Sequence, residues 1–147
     1  MAIKKIACCT DFSDNAEAAF ATALDMAGKY QAKLFVIHVL PPVINPVSTD
    51  IDWTFPDVPE QKSLLLNLEK RMQQDYGSRI KGDIDYELIV LNGHISSEII
   101  TFLRDNSVDL VVLGSYGLSG MGLVVFGSVS RRVARKAPCS VLIVRDS

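Results

Sequence analysis

Glycines and small hydroxyl residues recur late in the chain at a spacing suited to holding an anion. Gly114-Ser115-Tyr116-Gly117 is followed by nine residues and then by Gly127-Ser128-Val129-Ser130. Glycine admits positive φ and lets a ligand approach the backbone closely. Successive backbone N–H groups in such a loop can form a concave anion site. Gly127-Ser128 stands just before an expected helix running from Ser130 to Lys136. The free N–H groups and dipole at a helix start favour a phosphate, and Ser128 and Ser130 can add hydroxyl donors. Gly120 and Gly122 make the loop still more pliable. The competing reading is a long turn with no ligand.

Two familiar phosphate motifs do not fit. A Walker loop needs a lysine after its last glycine. Gly122 and Gly127 have the right separation, but Ser128 occupies the lysine position. The first strand-to-helix turn, Cys8-Cys9-Thr10-Asp11-Phe12-Ser13, contains no glycine, unlike a dinucleotide-binding fingerprint.

The elements that would carry this loop follow from apolar runs and helical periodicity. Ile3–Cys9, Lys33–Leu40, Ile84–Leu91, Leu110–Leu113 and Cys139–Val144 read as strands. They are apolar throughout rather than alternating, as expected of parallel strands covered on both faces. Between them, Asp14–Tyr30 and Glu60–Tyr76 show helical spacing, and a third helix starts at Ser96 or Ser97 and runs to about Asn106. Ser13 can cap the first of these helices, and Gly28 suits its stop. Strands alternating with helices, joined by right-handed crossovers, make a doubly wound α/β domain. Residues 1–147 read as one such domain.

In an open sheet of this kind a ligand sits beyond the carboxyl ends of the strands, where the strand order reverses. The residues placed there are Thr10 and Asp11, Val39, Asn92 to His94, and Gly114 onward. Asp11 and the glycine loop should therefore face one crevice, although Asp11 could instead cap the first helix with Ser13. His38, inside an apolar strand, reads as a core histidine with a hydrogen-bond partner. His94 suits either a cap or a phosphate contact. The stretch from Pro41 to Pro59 holds five of the six prolines, with Trp53 and Phe55 among them, and reads as an irregular loop.

Bulk composition narrows the function classes. A formal net charge of −2 gives no reason to expect a nucleic-acid partner. The basic cluster Arg131 to Lys136 reads as a solvated helix face. No apolar run reaches the length of a membrane span, and no secretory leader is apparent. Cys8, Cys9 and Cys139 fit no zinc spacing, and reduced thiols suit a cytoplasmic setting.

The pattern Gly-x2-Gly-x9-Gly-Ser resembles the ATP-binding motif of universal stress proteins. Thr10-Asp11-Phe12-Ser13, His38-Val39, Gly93 and the ending Ala137-Pro138-Cys139-Ser140-Val141-Leu142-Ile143-Val144 are similar to that family as well. Cys9 departs from it, because ATP-binding relatives often have proline there. The resemblance implies a five-stranded parallel sheet in the order 3-2-1-4-5, Rossmann-like, with helices on both faces. It implies ATP, or ADP or AMP, as ligand, with Mg²⁺ or Mn²⁺ carried on the phosphates. Asp11 would receive the adenine, with Thr10 beside the nucleotide and Val39 lining the base and ribose. Gly114 and Gly117 would contact ribose and phosphate, and Gly127, Ser128, Val129 and Ser130 would cradle the triphosphate. It also implies a homodimer through the edge strand Cys139–Val144.

The expected role is a regulatory, stress-response one. Weak ATP hydrolysis or nucleotidyl transfer is the enzymatic alternative, but no base–nucleophile arrangement, Walker lysine or obvious arginine finger supports it; Arg131 follows Ser130 and could equally reach phosphate or point to solvent. A nucleotide-free interaction module is a further alternative. A phospho-acceptor receiver domain is disfavoured, since the third strand ends in Leu91-Asn92-Gly93 without an acidic cluster.

Overall fold

Each central strand sends apolar side chains to both faces of the sheet, and the helices divide between those faces. The computed structural model describes residues 2–41, 58–115 and 127–146, with side chains from residue 62 onward in the second helix. Strands β1 (Lys5–Cys9), β2 (Lys33–Leu40), β3 (Tyr86–Asn92), β4 (Leu110–Gly114) and β5 (Ser140–Val144) form one sheet in the order β3-β2-β1-β4-β5. All pairings are parallel. The register sets Cys8 opposite both Val36 and Val112.

Helices α1 (Asp14–Tyr30) and α2 (Val58–Asp75) cover one face. Ile6, Cys8, Leu34, Val36 and Val112 meet Phe20, Ala23, Met72 and Tyr76 there. Helices α3 (Ile95–Asp105) and α4 (Ser128–Lys136) cover the other. Ala7, Phe35, Ile37, Val39, Val111 and Leu113 pack there on Ile99, Leu103 and Val133. Phe20 is fully buried, and removing such a ring from water contributes about 2–3 kcal/mol. Burial also pushes the Cys9 thiol up to about 12 and the Cys8 thiol well above its ordinary value.

Connections from β1 run to one side of the sheet and those from β4 to the other. The order therefore reverses between these two strands, and their carboxyl ends open the crevice expected for a ligand.

Ser13 caps α1, its Oγ accepting from the Ala16 N–H at 3.2 Å. The helix runs to Tyr30, as expected, and closes on Gln31 rather than on Gly28; Gln31 is left-handed at φ 53° and its N–H reaches the Ala27 carbonyl. Helix α3 starts at Ile95 rather than at Ser96 or Ser97, because His94 serves as its cap. Helix α4 starts two residues before the expected Ser130, at Ser128. Pro59, expected in the irregular loop, lies in the first turn of α2, where a proline is tolerated because its missing N–H would find no helical partner. A short 3-10 turn at Gly77–Arg79 follows α2. Trp53, Phe55, Gly120 and Gly122 lie outside the described residues.

Candidate nucleotide site

The crevice has two rims of different construction. The first is the turn from β1 into α1. Thr10 is buried, and its N–H donates to the Ile37 carbonyl at 2.8 Å. Its carbonyl accepts from Nδ1 of His38 at 2.9 Å, so His38 does have the partner expected of it. The Thr10 hydroxyl accepts from the Phe12 N–H at 2.9 Å and shares a hydrogen bond with the Tyr76 hydroxyl. Every polar atom of Thr10 is thus engaged within the protein. Thr10 shapes the rim, and its side chain turns towards α2.

Asp11 is half-buried at the rim, and its Oδ1 accepts from the Ser13 N–H at 3.0 Å. The cap of α1 is Ser13, so Asp11 braces the turn while standing at the crevice. Phe12 takes φ 65°. That left-handed conformation is strained for a bulky residue by roughly 1–2 kcal/mol. Val39 is buried and packs on the α3 and α4 side of β2.

The second rim joins β4 to α4. A Cβ on Gly114 would lie 2.8 Å from the Asn15 carbonyl oxygen, so only glycine fits without movement. The Ser115 N–H donates to the Val144 carbonyl, and the Ser115 carbonyl accepts from the Gly127 N–H, each at 2.9 Å. The buried Ser130 hydroxyl donates to the Gly114 carbonyl at 2.7 Å. These bonds bring Gly127–Ser130 against the end of β4. Gly117 lies outside the described residues.

Helix α4 begins on Gly127, and no side chain caps it among the described residues. The first intrahelical bond runs from the Arg131 N–H to the Gly127 carbonyl at 3.0 Å. The N–H groups of Ser128, Val129 and Ser130 precede it and have no helical acceptor. The Ser115 hydroxyl is buried without a hydrogen-bond partner among the described residues.

A cleft of about 340 Å³ opens at this helix start. It is lined by Pro41, His94, Ile95, Ser96, Ser128, Val129 and Arg132. His94 caps α3: its Nδ1 accepts from the Ser97 N–H at 3.4 Å and meets the Ser97 hydroxyl at 3.0 Å. That pattern leaves the ring proton on Nε2. Arg131, open from sequence to either phosphate or solvent, is exposed, and it is Arg132 that lines the cleft. Spacing could have found it, since Ser128 and Arg132 are four apart and share a helix face.

This donor set fits an anionic group carried on an apolar-sided ligand. Among the described residues the cleft lining contains no carboxylate, two helix starts converge on it, and Val129 and Ile95 supply apolar wall. Among the described residues, no cluster of His, Cys, Asp and Glu could hold a metal ion by itself. No described helix is long and apolar enough to cross a membrane.

Comparison with known proteins gives this architecture its class. The model of the universal stress protein family matches residues 2–145, and the chain belongs to that family. Universal stress protein MJ0531 of Methanocaldococcus jannaschii is 30% identical over 145 residues, covering 97% of this chain and 82% of that protein. Among solved structures, universal stress protein UspA from Lactobacillus plantarum superposes with a TM-score of 0.76 at 24% identity, covering 99% of each chain. A universal stress protein in complex with cAMP superposes at 0.63 with 25% identity, covering 98% of each chain.

Proposed function

We propose that this protein binds an adenine nucleotide, ATP foremost, in the crevice between β1 and β4, and acts as a regulatory binding protein. The observation that carries this reading is helix α4. It starts uncapped on a glycine at the switch point, among the described residues, with its N–H groups beside the Ser128 hydroxyl; the Ser130 hydroxyl, expected as a second donor, gives its proton to the Gly114 carbonyl instead. Such a start favours phosphate. The cAMP complex of a relative supports an adenine nucleotide as the ligand class.

Asp11 receives the adenine and Val39 lines the base and ribose side. Thr10 sets the turn that presents Asp11. Gly114 and Gly117 meet ribose and phosphate, while Gly127, Ser128, Val129 and Ser130 hold the phosphates. Mg²⁺ or Mn²⁺ accompanies the phosphates, held by them rather than by a protein ligand set. The test is titration calorimetry with ATP and Mg²⁺, followed by ADP, AMP and cAMP. Saturable binding below millimolar concentration is expected, and no heat at millimolar nucleotide would remove the proposal.

Arg132 beside Ser128 favours a second, weaker reading, slow hydrolysis, because a cation there can offset phosphate charge. Phosphate release that is unchanged in Arg132→Ala would argue against it. Strand β5 lies at a sheet edge with half-buried Val141–Val144. An apolar edge invites antiparallel pairing with a second copy. Light scattering that gives a dimer mass supports that assembly, and a monomer mass at tens of micromolar removes it.

A further inference from the structure

We infer that Tyr76, together with His38 and Arg71, is a positioning residue that locks the Thr10–Phe12 turn in the form presenting Asp11, and thereby couples helix α2 to the nucleotide site. This deepens the nucleotide-binding reading and rests on it.

The turn needs holding because Phe12 sits at φ 65°, where bulky side chains are rarely found. Three elements supply the restraint. The Phe12 N–H is taken by the Thr10 hydroxyl, which is itself bonded to the Tyr76 hydroxyl. Nδ1 of His38 holds the Thr10 carbonyl at 2.9 Å. The Phe12 ring lies 4.7 Å from the His38 ring and 6.0 Å from the Tyr76 ring. The Arg71 guanidinium covers it at 3.9 Å from the centroid, and Asp75 steers that guanidinium at 3.4 Å.

Core packing accounts for the rings but not for the Tyr76 hydroxyl. A phenylalanine would fill nearly the same space. The hydroxyl instead reaches the residue immediately before Asp11. Thr10 keeps no polar atom for a ligand, so affinity depends on Tyr76 through the shape it gives the turn. Coupling between sites is reciprocal. A nucleotide that selects this turn must also tighten the end of α2.

The test compares wild type with Tyr76→Phe by thermal unfolding, ATP titration and amide hydrogen exchange in the ligand-free protein. Unfolding should stay cooperative. ATP affinity should fall, and exchange at the Phe12 and Ser13 amides should rise, each by up to about tenfold, the scale of one lost hydrogen bond. Val112 and Val133 should keep their rates. A lowered unfolding temperature with unchanged affinity and unchanged turn exchange overturns the inference, leaving Tyr76 as packing alone.

If wild type binds no ATP, the nucleotide reading fails, and the exchange measurement still decides the clamp: faster turn exchange supports it and unchanged exchange overturns it. If Tyr76→Phe does not fold, Arg71→Met on the exposed flank of α2 should show the same changes at about threefold, the scale of an exposed cation–π contact. No change in either quantity overturns the inference. In wild type, saturating ATP should slow exchange at the Tyr76 and Arg79 amides, and unaltered rates there would remove the coupling to α2.

Discussion

The two rims of the crevice are built on opposite principles. The β1–α1 rim is satisfied from within: each polar atom of Thr10 has a protein partner, and Asp11 braces Ser13. The β4–α4 rim is stitched at its base by Ser115, Gly127 and Ser130 but carries a helix start that no described side chain caps. The first rim offers shape, and the second offers N–H groups that have no helical acceptor. A ligand with a planar base and a phosphate tail matches that division. In the proposed binding mode its base would meet a preorganised wall, and its charge would meet N–H groups that gain from an anion.

The contrast can be broken most severely at Gly114. Gly114→Ala pushes a methyl to 2.8 Å from the Asn15 carbonyl. It should cost about 1–3 kcal/mol in urea unfolding and weaken ATP binding as well. Unchanged stability would mean the second rim yields more than its stitching suggests.

Asp11→Ala tests the first rim. It should reduce ATP affinity about 10- to 100-fold, as for loss of a charge-assisted hydrogen bond, with a stability loss near 1 kcal/mol. Asp11→Asn keeps an acceptor for the Ser13 N–H and separates the charge from the brace. Equal affinity in all three proteins would remove Asp11 from the site.

Ser130→Ala removes the 2.7 Å bond to the Gly114 carbonyl. A stability loss of about 1 kcal/mol is expected. A much smaller loss would show that the two Ser115 bonds hold the rim without it.

The smallest effect near neutral pH concerns the strand end beneath the first rim. The Cys9 thiol ionises only near 12 in the folded chain, against an ordinary 9.0. The folded form therefore stays protonated while the unfolded form loses its proton. Its contribution to stability is full below about pH 9 and is lost as pH rises towards 12. Urea unfolding from pH 8 to pH 11 should show this decline, with a shallower slope in Cys9→Ala. An identical slope would assign the decline to other groups.

Much of the frame was legible from sequence because it depends on local runs. The apolar stretches Lys33–Leu40 and Leu110–Leu113 can only be strands between two covered faces. Ser13 announces its helix by type and position. The resemblance supplied the strand order, which periodicity alone does not fix, and the sheet has that order. The details missed are those that depend on distant partners. Thr10 reads as a ligand neighbour from its place after β1, yet its hydroxyl meets Tyr76, sixty-six residues away. His94 caps α3, a role its position already allowed, but the serines after it drew the expected helix start too far along. Helix α1 ends at Tyr30 as expected, but Gln31 rather than Gly28 makes the left-handed turn that closes it.

The contact between Gly114 and Asn15 acts as a mechanical stop. With no Cβ between them, the backbone of β4 and the first turn of α1 already touch. Ser130 ties α4 to the same point. The crevice has no remaining travel inward along this line, so a ligand cannot be gripped there by closure. Strand end and both helix starts are tied at this one point and shift as a single body, so the two rims move together here rather than towards each other.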